Sequence, residues 1–305
     1  MRLVGLLKQL LYSLDPENFG GLEDKYTDYV KSKIVVVPIP FDSTACSSPG
    51  QRFGPESIIS ASAGLELYDE EIDFEVYKEG ICTTEHMEPV RANVEENNLR
   101  IKKSLQEFLD DGKFIVALGG DHSITYGVLS AFNEKQTLKP FSILQLDAHA
   151  DVAEDAEGSR FTHACVMRRA REEFTDNIVQ VGLRSVSKEE IEYNKENVFL
   201  AINLRKNFEQ KIPEIVARLK HDNVYITFDV DVLDPSEMPA TGTPEPGGLH
   251  YYDILALLKE VCKQKNVIGL DCVELMPLPG NDAPNSVAAK IVYKLLGYKF
   301  KFAKI

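Results

Sequence analysis

Short apolar runs separated by longer amphipathic segments make up most of this chain, and the alternation leaves few folds open to it. Most of the runs are rich in Val, Ile, Leu and Phe, without strict alternation of polar and apolar residues. Continuous runs of this length predict strands buried on both faces of a parallel sheet. We predict strands at Lys33–Ile39, Glu75–Cys82, Phe114–Leu118, Phe141–Leu146, Ile178–Leu183, Val198–Leu204, Val224–Phe228 and Val267–Val273.

Apolar residues recur at helical spacing in the segments between these runs. The predicted helices are Val94–Leu109, Asp121–Phe132, Phe208–Leu219, Tyr251–Cys262 and Ser286–Leu296. Because strands and helices alternate over all 305 residues, we expect one α/β domain, residues 1–305, with about eight parallel strands and helices on both faces. Residues 1–30 are expected to form an N-terminal arm that begins with an amphipathic segment, Met1 to Leu14.

The charge balance limits the partners that the chain can bind. It has 34 Lys and Arg residues against 48 Asp and Glu residues, a formal net charge of −14. Such a surface repels nucleic acid and anionic membranes, so we expect neither as a partner, whereas metal ions or an amine-rich substrate fit it.

The N-terminal apolar stretch is too short to span a bilayer. Five cysteines without a CxxC pair favour a reducing, cytoplasmic compartment.

Acidic and histidine side chains follow four of the predicted strands. In open parallel sheets, ligands bind beyond the carboxyl ends of the strands. Residues two apart on an extended chain face the same side, so both members of a D-x-H or D-x-D pair can point at one site. The motifs at these strand ends are Gly119–Ser123, Asp147–Asp151, Asp229–Asp231 and Asp271–Glu274.

The residue types in these motifs favour divalent cations. Carboxylate and imidazole ligands suit Mn²⁺, Fe²⁺, Co²⁺, Ni²⁺ or Zn²⁺, and the lack of thiolates argues against a structural zinc site. The candidate ligands are His122, Asp147, His149, Asp151, Asp229 and Asp231. They are more than one ion needs and suit two ions that share carboxylates. Each motif alone could be a turn or a helix cap, but their joint occurrence at strand ends favours a metal site.

Three motifs, Gly119–Ser123, Asp147–Asp151 and Thr227–Asp234, together resemble those of the ureohydrolases, the family of arginase, agmatinase, guanidinobutyrase and formimidoylglutamase. The resemblance extends over nearly the whole chain, from Pro38 to near Gly297. It implies an arginase-like three-layer α/β/α sandwich around an eight-stranded parallel sheet. It also implies hydrolysis of a guanidino group and a homo-oligomer, either a trimer or a hexamer.

The resemblance further implies two Mn²⁺ ions per subunit, with Asp147 and Asp229 bridging them. The first ion would be bound by His122, Asp147, Asp151 and Asp229. The second would be bound by Asp147, His149, Asp229 and Asp231. Two cations lower the pKa of water that lies between them, so a hydroxide nucleophile is available near neutral pH.

By the same resemblance, His163 matches the family's proton-shuttle histidine, and Glu274 matches the acid that pairs with the substrate guanidinium. An imidazole titrates close to neutral pH and can protonate a leaving amine. A planar carboxylate meets a planar guanidinium through two parallel hydrogen bonds. Glu245 lies in a loop rich in Gly and Pro, where it either helps to hold the guanidinium or only supports the loop.

The substrate remains open within the family. A loop with Glu154, Asp155 and Glu157 would repel a substrate carboxylate and attract a distal amine, unless these side chains only face solvent. This favours agmatine, cleaved to putrescine and urea, over arginine. N1-aminopropylagmatine is an alternative of the same charge type, and Arg160 could hold the carboxylate of 4-guanidinobutyrate. A deacetylase, a phosphodiesterase and a non-catalytic relative are further alternatives, which Glu274 and the complete ligand set disfavour.

Overall fold

The structure is a computed structural model that describes residues 17–46 and 48–303. Its strands form one sheet in which every neighbouring pair is parallel. The strands are β1 Ile34–Ile39, β2 Ile81–Thr83, β3 Phe114–Gly119, β4 Phe141–Leu146, β5 Ile178–Leu183, β6 Val198–Leu200, β7 Asn223–Asp229 and β8 Asn266–Val273. Their order across the sheet is β2-β1-β3-β8-β7-β4-β5-β6. The predicted eight-stranded parallel sheet is therefore confirmed.

Helices cover both faces of this sheet. They are α1 Gly54–Ser62, α2 Val94–Asp110, α3 Ile124–Glu134, α4 Val166–Glu173, α5 Lys188–Tyr193, α6 Ala201–Leu204, α7 Phe208–Arg218, α8 Tyr251–Gln264 and α9 Ala283–Lys301. Helices α1, α7, α8 and α9 pack on one face, and α2, α3 and α4 pack on the other. This is the predicted three-layer sandwich.

Each face of the sheet has its own hydrophobic core. Along β1, Ile34 and Val36 join the core under α1 and α9, whereas Val35 and Val37 join the core under α2 and α3. Both faces of a central strand are buried in this way, so apolar residues occupy successive positions rather than alternate ones. This explains the unbroken apolar runs of the sequence.

Two edge strands are shorter than the sequence predicts. Within the predicted strand Glu75–Cys82, residues Val76–Glu79 form a 3-10 turn and β2 starts only at Ile81. Gly80 separates the two with a φ of 80°, a conformation that glycine adopts at no steric cost. Within Val198–Leu204, the strand ends at Leu200 and α6 follows. Both predictions were wrong in length because an apolar run does not distinguish a short edge strand from a turn or helix that packs beside it.

The N-terminal arm is described only in part. Residues 1–16, which include the predicted amphipathic segment, lie outside the described residues. Phe19 is fully buried, and its backbone N–H donates to Thr83 Oγ1 at 2.9 Å, so the later part of the arm is attached to β2. Among the helices of residues 17–303, none is long and apolar enough to cross a membrane. The single-domain organisation stays a prediction, which the one continuous sheet supports.

Strand register places four chain segments at one level of the sheet. Leu118 of β3 and Phe228 of β7 both pair with Cys272 of β8, and Leu146 of β4 pairs with Phe228. The four central strands therefore end side by side. The residues that follow them, including Asp147 and Glu274, are brought to the same edge.

Candidate functional site

Two groups of potential metal ligands occupy this edge and share Asp147. One consists of His122, Asp147 and Asp229, and the other of Asp147, His149 and Asp231. Within each group the ligand atoms all lie within 4.8 Å of one another. Asp151 adjoins the first group, because its Oδ2 is 3.0 Å from His122 Nδ1. The structure thus brings together all six ligands predicted from the sequence.

Asp147 lies between the two imidazoles. Its Oδ2 is 3.1 Å from His122 Nδ1, and its Oδ1 is 3.6 Å from His149 Nδ1. On the far side of His149, Asp231 Oδ2 lies 2.9 Å from the same nitrogen. One carboxylate that directs an oxygen to each of two ligand groups can bridge two cations.

The electrostatics of the cluster favour a bound positive charge. Burial alone would lower the pKa of His122, but the carboxylates of Asp147, Asp151 and Asp229 raise it well above its usual value. Burial likewise opposes the effect of Asp147 and Asp231 on His149, and those carboxylates raise its pKa to about 12. Burial and neighbouring acids raise the pKa of Asp229 far above its usual range. Protons therefore occupy positions that divalent ions can take instead.

His122 provides a direct test of whether this site fits metal ions. Its Nδ1 is buried and makes no hydrogen bond of good geometry, although three carboxylate oxygens lie within 3.4 Å. A buried nitrogen surrounded by carboxylate oxygens is what a shared cation would satisfy. Nitrogen and oxygen ligands without sulfur suit Mn²⁺ and similar ions. The residues therefore fit a metal centre.

A chain of buried hydrogen bonds fixes the orientation of the His122 ring. Its Nε2 lies 2.7 Å from Thr227 Oγ1, and this hydroxyl donates to Asp271 Oδ1 at 2.6 Å. Asp271 also accepts a hydrogen bond from the hydroxyl of Tyr225 at 2.7 Å. Because the Thr227 proton points to Asp271, its oxygen accepts from Nε2–H. A neutral His122 then presents the Nδ1 lone pair to the cluster, as a metal ligand must.

Backbone conformation is unusual at two predicted site residues that line the cavity described below. Asp151 has a φ of 54° and Glu274 a φ of 66°, values that non-glycine residues rarely adopt. Glu274 N–H donates to the carbonyl of Gly120 at 2.8 Å, which holds the end of β8 against the end of β3. A Cβ on Gly120 would lie 1.8 Å from the Phe41 carbonyl oxygen, so only glycine fits there. Strain of this kind is concentrated at functional sites.

A cavity of about 220 Å³ opens onto the cluster. Its lining includes five of the six ligands, His163 and Glu274. The remaining lining residues are Ala45, Cys46, Ser48, Gln51, Ala164, Ser185, Glu190, Gly242 and Thr243.

Glu274 and His163 are held by specific contacts within the cavity. Glu274 is buried, its Oε1 accepts from the backbone N–H of His122 at 2.7 Å, and burial together with Asp121 raises its pKa to about 8. His163 Nδ1 lies 3.3 Å from Thr44 Oγ1, and its Nε2 lies 3.4 Å from Cys46 Sγ. Thr44 also accepts the backbone N–H of His163 at 3.1 Å. Both side chains are therefore oriented at the cavity wall.

Comparison with known proteins assigns the chain to a protein family. The family model described as Arginase family matches residues 32–297. The chain belongs to the arginase family. It is 37% identical to an N(1)-aminopropylagmatine ureohydrolase of Synechocystis sp., over 89% of this chain and 90% of that protein. It is 32% identical to an agmatinase of Bacillus anthracis, over 89% of this chain and 93% of that protein.

Solved structures agree with this assignment. The agmatine ureohydrolase of Thermoplasma volcanium superposes with a TM-score of 0.83 at 30% identity, covering 98% of both chains. The arginase of Bacillus subtilis, at 23% identity, shares the fold with a TM-score of 0.75. The protein is therefore an arginase-family ureohydrolase with an arginase-like fold.

The acidic loop predicted to contact the substrate lies away from the cavity of this family member. Glu154, Asp155 and Glu157 are exposed, and none of them lines it. Glu154 forms ion pairs with Arg168 at 2.5 Å and with Arg160 at 3.5 Å. Their role in substrate binding stays a prediction without support from this geometry.

Glu245 stands behind the cavity wall. Its Oε1 accepts a hydrogen bond from Ser185 Oγ at 3.1 Å, and its backbone carbonyl accepts from the Arg184 guanidinium at 2.8 Å. Ser185 itself lines the cavity. Of the two interpretations of Glu245, this placement favours the supporting one.

Sequence reasoning missed Glu190, a cavity-lining carboxylate outside the metal cluster. Glu190 Oε2 accepts the backbone N–H of Ser187 at 2.7 Å, and Ser187 Oγ accepts the N–H of Glu190 at 3.2 Å. These reciprocal bonds form a capping box at the start of α5. The S-x-x-E pattern is visible in the sequence and could have located this helix start.

Proposed function

We propose that this arginase-family ureohydrolase uses two Mn²⁺ ions to hydrolyse a cationic alkylguanidine of the agmatine type to urea and an amine. The observation that carries the proposal is the pair of ligand groups joined by Asp147, with the buried carboxylate Glu274 in the same cavity. The proposed assignment is the one that the resemblance implies, with Asp147 and Asp229 shared between the ions. When bound, the two ions lower the pKa of water and so supply a nucleophile near neutral pH.

Glu274 and His163 carry the protein's own part of the reaction. The N–H of His122 fixes one oxygen of Glu274, so the carboxylate plane is set to receive the substrate guanidinium. His163 is oriented from its Nδ1 side by Thr44, and its Nε2, which contacts only the weak hydrogen-bonding sulfur of Cys46 at 3.4 Å, would pass a proton to the leaving amine. This proton is needed because an alkylamide ion is a very poor leaving group.

The charge of the cavity favours an amine over a carboxylate on the substrate. Among the described residues, no Lys or Arg lines it. The nearby guanidinium of Arg184 donates to the backbone carbonyls of Asp231 and Glu245, at 2.6 and 2.8 Å, and so holds the wall together. We therefore propose agmatine, cleaved to putrescine and urea, rather than arginine or 4-guanidinobutyrate. N1-aminopropylagmatine is the second candidate, supported by the Synechocystis relative.

Urea release from a panel of guanidines tests this proposal. The Mn²⁺-loaded protein would be assayed with agmatine, N1-aminopropylagmatine, 4-guanidinobutyrate and L-arginine, and with Asp229→Asn as a control that should lose metal and activity. A substrate carboxylate that finds no Lys or Arg in the cavity lining and lies near acidic side chains costs a few kcal/mol, so we expect roughly a hundredfold lower kcat/KM for arginine. Better turnover of arginine would overturn the substrate class, and no urea from any guanidine would overturn the reaction.

Location and assembly are further proposals. We propose a cytoplasmic enzyme, which is supported by five cysteines that are all free thiols. We also propose the trimer or hexamer that the family resemblance implies. Light scattering on the purified protein distinguishes these assemblies from a monomer of 34.2 kDa.

A further inference from the structure

We propose that Gln51 binds the guanidinium group of the substrate, as a hydrogen-bond acceptor in addition to Glu274. This inference rests on the proposed function and concerns the guanidine end of the substrate. Gln51 lines the cavity, is 2% exposed, and its side-chain Oε1 has no hydrogen-bond partner among the described residues. Buried polar atoms are nearly always paired, so an unpaired acceptor in a cavity wall indicates a ligand that supplies the donor.

Hydrogen bonds to a buried aspartate fix the turn that carries Gln51. Residues Gln51–Phe53 form a 3-10 turn. Oδ2 of Asp42 accepts the backbone N–H groups of Gly50 at 2.9 Å and of Arg52 at 3.3 Å, and it also accepts from Arg52 Nε at 2.8 Å. The backbone on both sides of Gln51 is therefore held without the Gln51 side chain. Its amide group stays available for a ligand and is already in place before the ligand binds.

The same turn packs against the end of β8, where Glu274 lies. A Cβ on Gly54, which follows the turn, would lie 2.5 Å from the carbonyl oxygen of Leu275, the residue after Glu274. A Cβ on Gly242, which also lines the cavity, would lie 2.3 Å from Gln51 Nε2. Gln51 is thus placed at the end of the cavity at which Glu274 receives the guanidinium.

A guanidinium has more hydrogen-bond donors than Glu274 can accept. An alkylguanidinium has five N–H groups, and a planar carboxylate accepts two of them in parallel. Glu274 Oε1 already accepts the backbone N–H of His122 at 2.7 Å. The remaining N–H groups need other acceptors, because a buried donor without a partner is costly. Oε1 of Gln51 accepts one of them, and the unpaired buried oxygen is satisfied in return.

Two variants and two guanidines test this role. Gln51→Met removes the acceptor but keeps an unbranched side chain of similar length. Gln210→Met on α7 is the matched control, because Gln210 is exposed and does not line the cavity. The Mn²⁺-loaded proteins would be assayed with agmatine and with n-butylguanidine, which keeps the guanidinium but has no amine. Where n-butylguanidine is not turned over, its inhibition constant against agmatine is measured instead. The Tm of each protein is measured without substrate.

We expect Gln51→Met to weaken the binding of both guanidines about 10- to 100-fold, because a hydrogen bond from a charged donor is lost. The kcat for agmatine should not fall, since the N–H group that Gln51 binds is present in the substrate and in the transition state alike. The Tm should stay the same or rise, because an apolar side chain replaces an unpaired buried acceptor. Gln210→Met should resemble wild type in all of these measurements.

Unchanged binding of both guanidines would overturn the role of Gln51. Weaker binding of agmatine alone would assign Gln51 to the amine end of the substrate, and a lower Tm would mean that its side chain supports the cavity wall, so either result also overturns the proposal. Urea release by the wild-type protein reports separately on the proposed function. Its absence with both guanidines would overturn the proposed function and this inference together.

Discussion

At the scale of single residues, the site depends on side chains that each serve two partners. Asp147 faces both imidazoles, and its backbone neighbourhood completes the arrangement because Ala148 N–H donates to Asp231 at 2.9 Å. Thr44 likewise contacts both the backbone and the ring of His163, and donates its own N–H to buried Asp121. His163 and the candidate metal ligand Asp147 are thus positioned by different neighbours. Substitution of His163 and substitution of a metal ligand should therefore have effects that experiments can distinguish.

Replacing His163 with Asn should lower kcat while leaving metal content unchanged. The imidazole is lost as a proton donor, and general acid–base help is worth about 10²–10⁴-fold. His163 is not part of either ligand group, so elemental analysis should still find two metal ions per chain. KM should change much less than kcat because Glu274 remains.

The matched comparison is His149→Asn, which removes a member of the second ligand group and should lose metal. If His163→Asn loses metal while His149→Asn retains it, the two histidines have exchanged roles and the assignment is wrong.

At the scale of elements, the candidate site lies at the ends of strands, and helix α9 is attached to neighbouring segments by a buried cluster of ion pairs. Lys294 of α9 is buried and its Nζ lies 2.7 Å from both Asp69 and Glu71. Burial would raise the pKa of Glu71, but hydrogen bonds from Lys294, Tyr298 and Lys259 lower it to about 2. This cluster joins α9 and α8 to the loop that precedes β2, on the face of the sheet opposite α2 and α3.

Replacing Lys294 with Met should destabilise the fold by about 3–5 kcal/mol, because it leaves the buried Asp69 carboxylate without its cation. Urea denaturation followed by circular dichroism measures the free energy of unfolding. Lys211→Met on α7 is the control: Lys211 and its partner Glu214 are both 46% exposed, and loss of such a pair costs at most about 1 kcal/mol. Equal losses in the two variants would show that the α9 cluster contributes no more than a surface pair.

At the scale of the whole molecule, metal binding links charge, stability and pH. Two divalent ions would bring the net charge from −14 to about −10. They would also relieve repulsion among buried carboxylates at the carboxyl edge of the sheet. A ligand that binds only the folded state stabilises it, so removal of metal should lower the Tm as well as abolish activity.

We expect Mn²⁺ to bind more weakly as the pH falls. In the metal-free protein the pKa of His149 is raised to about 12 and that of His122 is also raised, so both carry protons near neutral pH. The ions must displace those protons, and the affinity should fall roughly tenfold per pH unit for each proton displaced. Calorimetric titration with Mn²⁺ at about pH 6.5 and about pH 8.5 measures the affinity. Both pH values lie at or above the usual imidazole pKa.

His149→Asn supplies the control for this prediction. The variant has one fewer proton to displace, so the affinity of its remaining site should depend less steeply on pH. An affinity for Mn²⁺ that is independent of pH in the wild-type protein would mean that the ions displace no protons from His122 and His149, contrary to the raised pKa of both imidazoles.

The sequence by itself determined the sheet and the candidate metal ligands. Strands buried on both faces of a parallel sheet need apolar residues at successive positions, so the sequence shows nearly continuous apolar runs such as those of β3 and β4. Parallel strands end at the same edge, so Asp147 and Asp229, each directly after a buried run, had to meet there. Local pattern was sufficient because these side chains are fixed by the strand they follow.

Tertiary structure alone decided which loop residues line the cavity. His163 meets Thr44, 119 residues away, and Glu154 is drawn outward by Arg168, so neither placement follows from nearby sequence. Glu190 enters the cavity because α5 begins beside β5 and its capping box fixes the side chain. Loops take their course from contacts with distant segments rather than from a repeating backbone pattern. Their charged residues therefore cannot be assigned to site or solvent before the fold is known.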